Sequence, residues 1–332
     1  MKKFLGKYED VISVENLLLA WEEFVKEKRS KKDVQEFQLH LMDNILALHA
    51  ELANHTYMHG LYHTFNISDP KPRNIHKASV RDRLLHHTLH RALYPFFDRL
   101  FITDSYSCRN GKGTHKALNR FTSFGNRISK NHTKTCWALK CDIRKFFASI
   151  DHEVLINTLK KYIADERITN LLTNVIRSFE TQRGKGLPLG NLTSQLFANV
   201  YMNEFDQFVK QTLKTKYYIR YADDFVFLSH KRAYLFEIQR CIAIFLTKQL
   251  KLSLHPDKVF LKTLASGVDF LGWVHFPDHR ILRTATKRRM LKNTMRSDAS
   301  ENTILSYLGM TRWGNAQKVR DTVKRIRTPC RM

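Results

Sequence analysis

The chain has 332 residues, 43 % hydrophobic and 26 % charged, which excludes a disordered polypeptide and supports a large core or several packed subdomains. Its 56 Lys plus Arg against 31 Asp plus Glu leave a formal net charge of +25, so the expected partner is a polyanion, nucleic acid before anionic lipid. The five cysteines, Cys108, Cys136, Cys141, Cys241 and Cys330, are scattered, odd in number and form no C-x-x-C pair, which argues against a disulfide framework or a zinc knuckle.

The chain opens without a signal-like apolar stretch and has no run of membrane-spanning length, so the sequence predicts a cytoplasmic protein with no membrane partner. Val14, Leu17, Leu18, Trp21, Phe24 and Val25 recur with helical period. A second helix is expected from Asp33, with Glu36 completing a capping box and Val34, Phe37, Leu41, Ile45, Leu48 and Leu52 inward. Pro70 and Pro72 interrupt the pattern. A third helix is expected after Ser79, running through Leu84, Leu85, Leu89 and Leu93 to Pro95. His86, His87 and His90 lie on it; without a neighbouring Glu in an H-E-x-x-H pattern they read as a polar face or RNA contacts rather than zinc ligands.

The middle of the chain changes character. Residues 136–143, CWALKCDI, form a short apolar run ending on Asp142 and suit a buried strand. Helices are expected from Asp151, and again after the glycine-rich stretch 184–190, with Leu196, Phe197, Val200, Tyr201, Phe205 and Phe208 inward. Two β-rich runs, 217–221 and 225–228, flank Ala222-Asp223-Asp224 and predict a hairpin with two acids at its turn. The tail after about Pro277 is basic and helix-compatible, densest at Lys287-Arg288-Arg289.

Carboxylates set beside apolar strands are costly unless something compensates them, and like charges raise each other's pKa. A divalent cation answers both costs. Mg²⁺ takes hard oxygen ligands, and a pair of such ions about 3.5–4 Å apart serves phosphoryl transfer. An Asp-Asp pair is also ordinary turn chemistry, so the pair alone does not decide.

The surrounding motifs do point further. Tyr221-Ala222-Asp223-Asp224 resembles the Y-x-D-D box of reverse transcriptases. Five further stretches resemble that family's boxes in order: Lys71-Pro72-Arg73 with Asp82-Arg83, Asp142 to Phe147, Gly186 to Gln195, Leu252 to Lys258, and Phe270-Leu271-Gly272-Trp273. Within the family the chain is most similar to the reverse transcriptases of diversity-generating retroelements. The similarity rests on Ser194-Gln195 closing the nucleotide box, on the stretch from Asp104 to His115, and on Ser306-Tyr307-Leu308-Gly309 with Gly314-Asn315.

The resemblance implies an α+β right-hand polymerase. Fingers and N-terminal helices would occupy 1–135, a palm with a small antiparallel sheet 136–275 (its inserted fingers segment at about 152–190), and a short helical thumb 276–332. It implies an RNA-directed DNA polymerase with catalytic Asp142, Asp223 and Asp224, and two Mg²⁺ ions, replaceable by Mn²⁺, held by those acids and the Ile143 carbonyl. Lys71, Arg73, Phe146, Phe147, Leu189, Gly190 and Lys258 would form the nucleotide site. Phe147 would be the steric gate against ribose and Phe146 the more buried of the two rings. Leu271, Gly272 and Trp273 would be the primer grip. Leu189 stands where most relatives carry Gln, whose amide can hydrogen-bond near the nascent pair, and so implies adenine infidelity. The implied biology is mutagenic retrohoming, with template RNA, cDNA, dNTPs and a small basic accessory variability protein as partners. A retron or phage-defence reverse transcriptase is the alternative within the family, and a non-catalytic RNA-binding scaffold the alternative outside it.

Overall fold

Residues 2–68, 71–296 and 300–327 are described by a computed structural model of the chain; Pro70 and Cys330 lie outside the described residues. The chain forms two units, each built from three separated segments. The first takes residues 1–103, 143–214 and 242–254, and the second 104–142, 215–241 and 255–332.

The first unit is mainly helical. The expected first helix runs Val14–Phe24, capped by Ser13 Oγ accepting from Asn16 N, and buries Leu17, Trp21 and Phe24. The single helix expected from Asp33 is two, Lys32–Leu39 and Leu41–Ala53. The break falls at His40 (φ −119°, ψ 41°), where Asn44 Nδ2 donates to the freed Phe37 carbonyl. Asp33 makes no cap; its carboxylate goes to Lys77 and Arg83. The apolar period continues across the break, so Val34, Ile45, Leu48 and Leu52 are buried as expected.

A two-stranded antiparallel hairpin, β1 (His63–Ile67) and β2 (Arg73–Lys77), was not expected; its strands are mostly exposed, and the alternation of Phe65 and Ile67 with polar neighbours is too short to reveal it. The third helix runs Val80–Asp98, past Pro95, whose missing N–H falls in the last turn. Its cap is as expected: Ser79 Oγ accepts from Asp82 N. His86 corrects the polar-face reading. It is wholly interior, with Nδ1 against Thr193 Oγ1 at 2.6 Å, and burial lowers its pKa to about 3. The helices His152–Tyr162, N-capped by the Asp151 carboxylate, and Leu192–Gln207 follow expectation.

The second unit carries the sheets. β3 (Trp137–Asp142), β4 (Tyr218–Tyr221), β5 (Asp224–Ser229) and β6 (Phe260–Thr263) form an antiparallel sheet in the order β4-β5-β3-β6. β7 (Val268–Phe270), β8 (Trp273–His275) and β9 (Arg280–Leu282) form a three-stranded antiparallel sheet. The helix Thr114–Ser129 buries Ala117, Leu118, Phe121, Phe124 and Ile128 in one cluster with Val226, Leu228, Phe270 and Trp273, so both sheets share a core. Burial of each Leu, Ile, Val or Phe side chain among these contributes about 1.5–3 kcal/mol. The basic tail folds as helices Thr284–Thr294, Glu301–Thr311 and Gln317–Arg327. This is the α+β class expected, with its small antiparallel sheets.

Candidate active site

The two acidic strands are joined by register. In the antiparallel β3–β5 pair, Asp142 lies directly opposite Asp224. Residues so placed have side chains on one face, with Cβ atoms about 4.5–5.5 Å apart. The preceding hairpin pairs Tyr221 with Asp224, leaving Ala222 and Asp223 as a two-residue turn. Ala222 takes φ +55°, the left-handed region that costs a Cβ-bearing residue about 1–2 kcal/mol. Three acids thus converge at one end of the sheet by backbone pairing alone.

Two lysines answer their charge. Lys140, two residues before Asp142 on β3 and therefore on the same face, is 6 % exposed and sets Nζ 3.3 Å from Asp224 Oδ2. Lys258 Nζ lies 3.3 Å from Asp142 Oδ2, and His255 N donates to the Asp142 carbonyl at 2.8 Å. The Asp224 side chain is 20 % exposed. Its burial pushes the carboxyl up to about 7 despite the Lys140 ammonium, and Asp142 and Asp223 push the same way.

Arg220 braces the turn from beneath. It is wholly buried on β4 and donates from Nη1 to the Ala222 carbonyl at 3.1 Å and from Nη2 to Ser105 Oγ at 3.0 Å. The 104–106 segment runs beside it: Arg220 N donates to Asp104 O and Tyr106 N to Arg220 O, both at 2.9 Å. Thr114 Oγ1 donates to the Tyr221 hydroxyl at 3.2 Å. Sequence reading missed Lys140 and Arg220. The only signal was a charge within a mostly apolar strand, which is weak in a chain this basic.

A hard divalent cation fits this donor set. Asp224 Oδ1 is buried with no hydrogen-bond partner among the described residues, as a ligating oxygen awaiting a cation would be. Among the described residues no three His, Cys, Asp or Glu side chains are grouped as a ready metal site, which accords with the lysines drawing Asp142 and Asp224 to themselves.

The second unit also holds Leu271, Gly272 and Trp273. Phe270 pairs with Trp273, so Leu271 (φ +51°) and Gly272 (φ +84°) form a tight hairpin turn. Both residues are left-handed, which matches strand twist but strains Leu271. Trp273 is buried, and Gly314 is the close-approach residue against it: a Cβ there would come within 2.3 Å of the ring.

The family model for "Reverse transcriptase (RNA-dependent DNA polymerase)" matches residues 68–275, more than half of the chain. The chain belongs to the reverse transcriptase family. It is 25 % identical over 262 residues to Protein YkfC of Escherichia coli strain K12, covering 66 % of each chain. It is 31 % identical over 148 residues to an uncharacterized 91 kDa protein in cob intron of Schizosaccharomyces pombe, covering 42 % of this chain and 17 % of that one. Group II intron-encoded protein LtrA of Lactococcus lactis subsp. cremoris is 21 % identical over 287 residues, covering 66 % and 46 %. The chain thus spans 66 %, 17 % and 46 % of these three relatives' lengths. No helix of the described residues is long and apolar enough to cross a membrane.

The other residues that the reverse transcriptase boxes single out lie in the first unit, except Lys258. Lys71 and Arg73 are exposed, Arg73 opening β2. Asp82, quoted with that box, is structural: wholly buried, it accepts from Tyr57 Oη, Ser79 Oγ and Gly60 N. Phe146 is 3 % exposed and Phe147 half-buried, their rings edge-on at 5.4 Å. Phe146 therefore supports Phe147 rather than offering a surface of its own. The Ile143 side chain is buried. Leu189 is half-buried and Gly190 exposed; Leu189 is pinned by its backbone, its carbonyl accepting from His76 N at 2.9 Å.

Proposed function

We propose that this chain is an RNA-directed DNA polymerase with Asp142, Asp223 and Asp224 as its catalytic acids. The observation that carries this is the register: β3 and β5 set Asp142 against Asp224, and the turn adds Asp223 beside them. A pair of divalent ions, Mg²⁺ or Mn²⁺, would be held by these carboxylates and the Ile143 carbonyl, and when bound would lower the charge cost of phosphoryl transfer. The protein's own part is positioning. Arg220 fixes the turn and the lysines hold the carboxylates of Asp142 and Asp224. Lys71, Arg73 and Lys258 would serve the triphosphate, with Phe147, Leu189 and Gly190 around the nucleotide and Phe146 behind Phe147. Leu271, Gly272 and Trp273 would grip the primer. In this reading 1–135 are N-terminal helices and fingers, 136–275 palm and 276–332 thumb.

The test is dNTP incorporation on a primed RNA template with Mg²⁺. Wild type should extend the primer, and Asp223→Ala should lose extension by at least about 10³-fold. Equal extension by both would remove Asp223 from the chemistry.

The finer reading is an adenine-mutagenising enzyme of a diversity-generating retroelement, with template RNA, cDNA and a small basic accessory variability protein as partners. Leu189 supports it, since an apolar side chain cannot supply the hydrogen bond that a Gln amide supplies. Leu189→Gln should lower misincorporation opposite template adenines several-fold in sequenced cDNA; an unchanged error spectrum would clear Leu189.

A further inference from the structure

The second unit bears a groove of about 870 Å³ that none of the polymerase roles above uses. One wall is the polar side of the helix Thr114–Ser129; the other is the turn between β8 and β9 with residues 313–315. Its lining is almost wholly hydrogen-bonding. Asn119, Asn126, Asn131 and Asn315 contribute amides, and Asn126 Oδ1 is buried with no hydrogen-bond partner among the described residues. Arg127 and Lys130 are exposed on the lining, and neither forms an ion pair among the described residues. The one acid among the described lining residues, Asp278, is engaged by His279 Nδ1 at 2.8 Å.

Two features make the groove more than a basic surface. Lys130, Asn131 and His132 are consecutive left-handed residues (φ +47°, +53° and +73°), an arrangement that costs energy and holds Lys130 and Asn131 at the groove edge. At the other edge Trp313, 36 % exposed, stacks on His115 at 3.8 Å and 16°, a ready aromatic platform.

We propose that this groove binds an unpaired stretch of RNA outside the polymerase active site. Amides suit base edges and 2′-hydroxyls, the two free cations suit phosphates, and the Trp313–His115 stack suits a base face. A duplex would hide the edges and faces that these groups address. A protein partner is disfavoured because Trp313 is the sole large apolar side chain among the described lining residues, too little for a buried anchor cluster. The proposal requires binding alone, and so stands or falls separately from the polymerase reading.

The experiment titrates a short labelled single-stranded RNA into the full chain in the presence of saturating unlabelled template–primer duplex. Wild type should bind the RNA. The double variant Arg127→Glu/Lys130→Glu should bind it at least about tenfold more weakly, with a salt slope lowered by about 1.4 and template–primer affinity unchanged. Asn126→Ala, which keeps the charge, should weaken RNA without changing that slope. Equal RNA affinity in wild type and the double variant overturns the proposal, as does equal binding of single-stranded DNA of the same sequence. A duplex that itself fails to bind would count against the polymerase reading and leave the RNA comparison intact.

Discussion

Asp224 concentrates the electrostatics of the site in one side chain. Its carboxyl sits near pKa 7 in the folded protein because burial outweighs Lys140, whereas in the unfolded chain it would titrate near ~3.9. Between those values the folded state binds more protons than the unfolded state. Stability from this group is therefore greatest at low pH and declines as pH rises toward 7. A divalent ion needs the carboxylate, so its stabilisation should follow the opposite course. Thermal unfolding should show a melting temperature raised by Mg²⁺ several degrees more at pH 8 than at pH 6, with Asp224→Asn flattening the difference. An Mg²⁺ effect independent of pH would mean that Asp224 does not meet the ion. At this scale the sequence disclosed the acids through their place between apolar strands and their box. It concealed Lys140 and Arg220, because in a strongly basic chain a single cation carries little information until its burial is known.

At the scale of elements, pairing does the assembling. β3 and β5 were legible as short apolar runs, and the turn from two acids between them, so the site's scaffold followed from pattern. The β1–β2 hairpin was not legible, because its strands are mostly exposed and only Phe65 and Ile67 on β1 alternate with polar residues. The helix Thr114–Ser129 had a readable apolar period at Leu118, Phe121 and Ile128, obscured by its Asn, Ser and Thr content. Arg220 ties the 104–106 segment to the acidic turn through Ser105 and the Ala222 carbonyl. Arg220→Met should cost about 2–4 kcal/mol in denaturant unfolding, since it strands a turn carbonyl and a hydroxyl. If the brace acts on the acids, kcat should fall about tenfold or more while template–primer affinity holds. Stability loss with unchanged kcat would make Arg220 a core residue only.

For the whole molecule, charge was the earliest readable property, and family membership agrees with a nucleic-acid partner. A net charge of +25 should make template–primer binding strongly salt-dependent, with affinity falling by roughly 10³-fold or more between 50 and 200 mM salt. A flat response would mean that the basic surface is not what meets the duplex. The two-unit division was not legible. It depends on contacts among segments far apart in sequence, which neither periodicity nor motif order encodes.

That interleaving bears on how the protein is made. The second unit needs residues 104–142, 215–241 and 255–332, so β6, which flanks the Asp142 strand, leaves the ribosome last of its sheet. Thirty-nine residues separate Asp224 from the end of β6 at Thr263, roughly 2–8 s of synthesis at ~5–20 residues per second. A nascent chain therefore carries all three acids for some seconds before it can finish the sheet that supports them. A stalled or truncated product would expose the β3 edge to other chains while having no completed site to work with.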